Sequence, residues 1–344
     1  MNTNFAPSRA LLFAFLMINA ACINATEDKH PNPEPLKKWV GEGHYRDFEG
    51  LQVFVHSSGP KSKDGRGVLI VHGFPGSSWD WQGVAAHVGD SARVVVPDML
   101  GFGRSAKPKT GTFMENYSLK RQANLYESIA KQEGLTNVVL VIHDMGQSVG
   151  AELMARHDEG SLSFKISHLI CLNGSTIMDL IETTAAQKKM LTMPDAAGTK
   201  HLDWDAFRED PLRIGFSKEH AASEETLDIM AAQVFYDDGD LVMAQMIRYL
   251  DERIENYNRW VGTLTGFHSA PMSVYWGLQD PVAKEPMVNR IKAWRPVTDV
   301  YKMPDVGHWP MIEVPDRIGK AIVDRLGGYN ELPATDLDPR LLSE

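Results

Sequence analysis

Five short segments of this chain carry residue types that do chemistry, and each falls near the end of an expected strand. They are His72-Gly73-Phe74-Pro75-Gly76, Asp98-Met99-Leu100-Gly101-Phe102-Gly103-Arg104-Ser105, His143-Asp144-Met145-Gly146, Trp276-Gly277-Leu278-Gln279-Asp280-Pro281 and Gly307-His308-Trp309-Pro310. Open α/β sheets place their sites at such strand ends. Asp144 sits where the apolar run Val138–Ile142 gives way to a helical segment. A group on a tight strand-to-helix turn is thrust out of the sheet, which suits a nucleophile. Serine would need a base to remove its proton. A carboxylate, with an ordinary pKa of about 3.9, is already ionised at neutral pH. Attack by a carboxylate on an ester carbonyl gives a reactive anhydride, whereas attack on saturated carbon gives a stable ester. The expected electrophile is therefore an epoxide or an alkyl halide.

A literal G-x-S-x-G stands nearby, Gly146-Gln147-Ser148-Val149-Gly150, and would suggest a serine esterase. Ser148 lies four residues beyond Asp144, one turn into the helix, so its hydroxyl is not expected on the turn. Gly146 and Gly150 read better as close helix–sheet packing positions.

The elements that must position these residues alternate along the chain. Leu51–His56, Gly67–Val71, Ala92–Val96, Val138–Ile142, His168–Leu172, Pro271–Trp276 and Val297–Lys302 read as strands. Leu119–Glu133, Met145–His157 and Pro315–Leu326 read as helices. Buried apolar strands alternating with helices predict an α/β fold with a mostly parallel sheet. From 176 to 267 strand signals stop. Glu224–Phe235 and Leu241–Tyr257 read as helical, so this stretch is expected to be a helical cap inserted between the sixth and seventh strands. The expected organisation is a signal peptide over 1–25, a core first part over 26–175, the cap over 176–267 and a core second part over 268–344.

Met1–Ala25 has one charge, Arg9, and an apolar run from Ala10 to Ile18 that is too short to span a bilayer. It predicts export, periplasmic or secreted. Cys22 after Ala20-Ala21 also hints at a lipid anchor, with Asn19 departing from the usual aliphatic residue. No other run reaches the roughly 18 apolar residues of a membrane span. Cys22 and Cys171 are the two cysteines, and Cys171 reads as a buried strand residue. With 35 Lys+Arg against 45 Asp+Glu the formal charge is −10, and no basic tract suggests a nucleic-acid partner. No metal or cofactor is expected. The sequence leaves oligomeric state open.

Together these segments resemble the α/β-hydrolase superfamily over essentially the whole mature chain. The fold it implies is a mostly parallel central sheet flanked by helices, with the cap between strands six and seven. Nucleophile, acid and histidine follow in the order of that fold. By resemblance Asp144 is the nucleophile, His308 activates the water that hydrolyses its ester, and Asp280 orients His308. The backbone N–H groups of Phe74 and Met145 form the oxyanion hole. His72 and His143 are expected to be packing or hydrogen-bonding neighbours, and Asp98, Arg104 and Ser105 to brace their loop. One departure is Ile142, a bulky residue where a small one is usual.

Haloalkane dehalogenases usually supply a Trp after the nucleophile and an Asn after the His-Gly. Met145 and Phe74 stand there instead, and their side chains donate nothing. Epoxide hydrolases use cap tyrosines as proton donors. The candidates are Tyr249, Tyr257 and Tyr236, with His201 and His220 nearby in sequence. Thr226–Leu264, with Asp238-Gly239-Asp240-Leu241-Val242, Tyr249-Leu250 and Arg259-Trp260-Val261-Gly262, is similar to the mesoderm-specific transcript family. The Gly73-Phe74-Pro75, Ser77-Ser78 and Asp80-Trp81 segments fit it as well. That family is an epoxide-hydrolase-like branch with aspartate at this position. The expected function is a cofactor-independent epoxide hydrolase acting on a small apolar electrophile. Haloalkane dehalogenase, ester or lactone hydrolase, and a non-catalytic binding protein remain alternatives.

Overall fold

The computed structural model describes residues 30–265, 270–296 and 298–326. The expected signal segment and the lipid-anchor candidate Cys22 lie outside the described residues.

Eight strands form one sheet in the order β1-β2-β4-β3-β5-β6-β7-β8. They are β1 His44–Phe48, β2 Leu51–Ser58, β3 Arg66–Val71, β4 Val94–Pro97, β5 Asn137–Ile142, β6 Lys165–Cys171, β7 Met272–Gly277 and β8 Asp299–Met303. β1 and β2 pair antiparallel, and β2 pairs antiparallel with β4. From β4 across to β8 every pairing is parallel. Parallel strands need crossovers, and the helices supply them while covering both faces. That is why β3 and β5 are unbroken apolar runs: Val68–Val71 and Val138–Ile142 have no exposed surface.

β1 and the helix Glu34–Glu42 were not legible in the sequence. β1 is a short edge strand whose buried positions thin out to one, Phe48, so alternation never builds a signal. The helix begins with Pro35 in its first turn, in a proline-rich stretch, and buries only Leu36 and Trp39.

Between β6 and β7 the described chain is helical, from Met178–Leu180 to Tyr257–Thr265. The insertion is tied to the sheet layer by buried polar groups. Glu252 Oε2 accepts from the Leu119 N–H at 2.6 Å, capping the helix Leu119–Gln132. Glu152 of the helix Gly146–Asp158 accepts from Trp260 Nε1 at 2.9 Å and Arg259 Nε at 2.8 Å. Among the described residues no helix is long and apolar enough to cross a membrane.

Candidate active site

β5 ends at Ile142, and the helix Gly146–Asp158 starts four residues later. Asp144 lies between them with φ of +49°, a left-handed conformation that costs a non-glycine residue energy. The surroundings hold it there. The Asp144 N–H donates to the Asn173 carbonyl at 2.8 Å, and the Gly146 N–H closes onto the His143 carbonyl at 2.8 Å. Asp144 thus stands on a sharp turn at the carboxyl edge of the sheet.

Ile142 does not displace this turn. A Cβ added at Gly150 would collide with Ile142 Cγ2, so the helix has given up a side chain where the strand has a large one. A Cβ at Gly146 would lie 2.5 Å from the carbonyls of Val71 and His72. The glycines of G-x-S-x-G are therefore packing positions. Gly150→Ala is expected to destabilise the protein by about 1–3 kcal/mol, the usual range for overpacking. Ile142→Val in the same chain should recover part of that, measured by urea unfolding. Full stability of Gly150→Ala alone would refute this packing account.

The Phe74 N–H donates to Asp144 Oδ1 at 2.8 Å. Met145 stands at the start of the helix, and its N–H makes no hydrogen bond to the described residues. His308 follows β8 and is buried. Its Nδ1 pairs with Asp280 Oδ2 at 2.7 Å. Burial pushes the imidazole pKa down, but the Asp280 charge and hydrogen bond, with the Asp144 charge behind them, raise it to about 9. Asp280 is buried too, and desolvation raises its pKa. The charged His308 and the N–H groups of Ala283 and Val282 outweigh that and leave it below the ordinary value. Its Oδ1 accepts those N–H groups at 2.9 and 2.7 Å, and Oδ2 also accepts from Asn173 Nδ2 at 2.9 Å.

Asp144 and His308 line the same cavity, of about 330 Å³, together with Phe74, Tyr249 and Trp309. No hydrogen bond or ion pair joins them directly. His308 Nε2 has no partner among the described residues. The insertion closes the cavity with mostly apolar side chains, including Met190, Met193, Phe207 and Met243.

The three tyrosines separate. Tyr249 lines the cavity, is 1 % exposed, and has no hydrogen bond from its hydroxyl to the described residues. Tyr236 lies under the Arg104 guanidinium, 3.9 Å from ring centroid to Cζ, and does not line the cavity. Tyr257 bonds Asp179 at 3.4 Å and faces a different surface depression. Sequence could not divide them, because a cap's helix faces are set by tertiary packing. His201 pairs with Asp240, and His220 with Asp305, both away from the cavity.

The remaining residues brace. His72 Nε2 accepts from the Met99 N–H at 3.0 Å. His143 Nε2 lies 2.8 Å from the His308 carbonyl, and burial pushes its pKa down to about 3, so the ring is a neutral donor. Asp98 accepts from the N–H groups of Ser78 and Arg104 at 2.6 and 2.7 Å, and Ser105 Oγ bonds the Asp98 carbonyl. Cys171 is a free, buried thiol. Ser148 is buried inside the helix, off the cavity, and its Oγ accepts from Arg253 Nε at 2.6 Å.

Two residues were not foreseen. Asn173 joins the turn at Asp144 to Asp280, since its carbonyl holds Asp144 and its side chain holds both Asp280 and Gly277. Arg253 reaches the underside of the turn from the insertion. Its one visible signal is spacing, one helical turn after Tyr249.

Comparison with known proteins gives the family and the fold. The sequence profile of the alpha/beta hydrolase fold matches residues 67–315. A protein described as putative hydrolase LipZ, from Mycobacterium tuberculosis, is 33% identical over 291 residues, 85% of this chain and 98% of its own. The mesoderm-specific transcript homolog protein of Homo sapiens is 28% identical over 291 residues, 81% of this chain and 84% of its own. Among solved structures, haloalkane dehalogenase DbeA from Bradyrhizobium elkani superposes with a TM-score of 0.68 at 19% identity, covering 83% of this chain and 97% of its own.

Proposed function

The chain belongs to the α/β-hydrolase family and is a hydrolase, and we propose that within that family it opens epoxides through a covalent ester on Asp144. The observation that carries this reading is the pairing, across one apolar cavity, of the Asp144 carboxylate with the unengaged Tyr249 hydroxyl. An epoxide needs both, one for carbon and one for oxygen.

In the first step Asp144 Oδ2, the oxygen left unbonded by Phe74, attacks an epoxide carbon. The carbon–oxygen bond breaks, and Tyr249 gives its proton to the departing oxygen. Burial and the Asp144 charge both push the Tyr249 pKa up, so proton donation becomes easier once the ester has removed that charge. The same loss acts on His308, since the Asp144 charge is one of the groups holding its proton. The imidazolium passes that proton to the Tyr249 oxygen and becomes a neutral base. A water between His308 and the ester then loses a proton to Nε2 and attacks the Asp144 carbonyl carbon. The negative oxygen of the tetrahedral species meets the N–H groups of Phe74 and Met145. Collapse expels the second hydroxyl of a diol, protonated by the new carboxyl group, and returns Asp144 anionic beneath a charged His308.

The cavity suits this better than halide release. Of the lining side chains, the Trp309 indole is the natural halide donor, and its Nε1 is already directed to the Leu212 carbonyl at 3.4 Å. The test is a terminal aryl epoxide set against the matching haloalkane. The native protein should form the diol, and Tyr249→Phe should lower that rate by about 10²–10⁴, the usual weight of a general acid. Halide release with an inert epoxide would reverse the assignment.

A further inference from the structure

Arg253 is a buried cation, 1 % exposed, with no carboxylate among the described residues in ion-pair contact. Burying an unpaired charge is expensive, and hydrogen bonds to its N–H groups offset part of the cost. Each of the three nitrogens has an acceptor here. Nε donates to Ser148 Oγ at 2.6 Å, Nη1 to the Ser175 carbonyl at 3.0 Å and its hydroxyl at 2.9 Å, and Nη2 to the Asp144 carbonyl at 3.0 Å. The acceptors are all neutral, and they come from the turn, from the helix that follows it, and from the loop after β6.

The guanidinium also lies over the Tyr249 ring, with Cζ 4.6 Å from the centroid. Tyr249 and Arg253 are four residues apart on one helix, Tyr249–Glu255, and so share a face. That face presents the cavity's hydroxyl above and grips the nucleophile's carbonyl below. The charges communicate as well. Desolvation pushes the Arg253 pKa down, and Tyr249 and Asp144 pull it back. For Tyr249 the Arg253 charge opposes the upward push of burial and of Asp144.

We propose that Arg253 is a positioning residue: through it the insertion locks the strained turn at Asp144 and supplies the fixed positive charge against which Asp144 and Tyr249 react. The serine of the G-x-S-x-G sequence is then an anchor for this arginine. The inference rests on the nucleophile and donor assigned above.

The test compares Arg253→Lys with Arg253→Gln in the full chain, two side chains that can both hydrogen-bond but differ in charge. The first readout needs no substrate. Amide hydrogen exchange at 143–147, followed by mass spectrometry, should quicken about tenfold in Arg253→Gln, as a local opening made easier. Unchanged exchange in both variants overturns the lock. If Arg253→Gln does not fold, Ser148→Val removes the Nε acceptor and carries the same readout, with the same two outcomes. The second readout is the rate of adduct formation on Asp144 from styrene oxide in a His308→Gln background. Arg253→Gln should slow it on the order of 100-fold at unchanged probe affinity, and Arg253→Lys should recover at least a tenth of the lost rate. Equal rates for the two variants overturn the role of charge. No adduct even with Arg253 intact would instead overturn the epoxide reading, while the exchange experiment would still decide the lock.

Discussion

His308→Gln is expected to stop the reaction half-way, with the substrate's carbon skeleton still attached to Asp144. The two half-reactions use different machinery. Ester formation needs the carboxylate and a proton donor, and neither is His308. Ester hydrolysis needs a base. His308 lines the cavity, and Nε2 is the ring nitrogen that Asp280 leaves without a partner among the described residues. Glutamine fills similar space but cannot accept a proton at neutral pH. Turnover should fall by at least about 10³–10⁴, the scale on which triad members matter, while one equivalent of substrate is consumed. Intact-mass measurement discriminates further. An epoxide adds its whole mass, whereas a haloalkane adds its alkyl group and loses the halide. Peptide mapping should find the label on Asp144. A label on Ser148 would sink the carboxylate mechanism, although that hydroxyl is held by Arg253 and lies off the cavity.

The second large effect is expected from Asp280→Asn. Asp280 accepts four hydrogen bonds, one of them from His308 at 2.7 Å. It is the first of the groups that raise His308 against the opposing pull of burial. With an amide in its place, burial dominates, and the ring should titrate below its ordinary value of about 6.5. NMR of the His308 ring should show the change from about 9 in the native protein. The imidazolium formed during ester hydrolysis loses its counter-charge, and that step should slow by about 10³–10⁴. Stability shifts in a defined direction. A histidine whose folded pKa is raised stabilises the native state fully below its unfolded value, near 6.5, and that contribution disappears as pH rises through about 9. Native protein should therefore lose stability across this window, and Asp280→Asn should not show that loss. A native His308 titrating near 6 would refute the charge network.

The parts legible in sequence are those set by short-range pattern. β3 and β5 announce themselves because both faces are covered, which makes their runs continuous. Asp144 is legible because a strand, one charged residue and a helix follow each other without a gap. Asp280 and His308 are legible by order alone, and the bond between them closes only when β7 and β8 pair. What stayed hidden depends on contacts remote in sequence. Ile142 reads as an anomaly until Gly150 is seen against it. Tyr236, Tyr249 and Tyr257 look equivalent until packing turns one ring into the cavity. Asn173 has no charge to mark it in the sequence, yet it joins the turn at Asp144 to Asp280. Arg253 reads as one charge in an acidic helix, and only tertiary structure brings Ser148, Ser175 and Asp144 around it.

The ties between insertion and sheet have a consequence for traffic. A lid that swings must break what fastens it, and this one is fastened from inside by Glu252, Arg253 and the Glu152 cluster. Lifting it would strand a buried guanidinium and uncap the helix at Leu119. An opening that leaves these ties intact is the rim, where Met193 and Ile214 line the cavity and are exposed. Selection falls to the width and greasiness of that rim, as in a corridor, and its side chains are where a changed preference for size could be introduced while the chemistry stays in place.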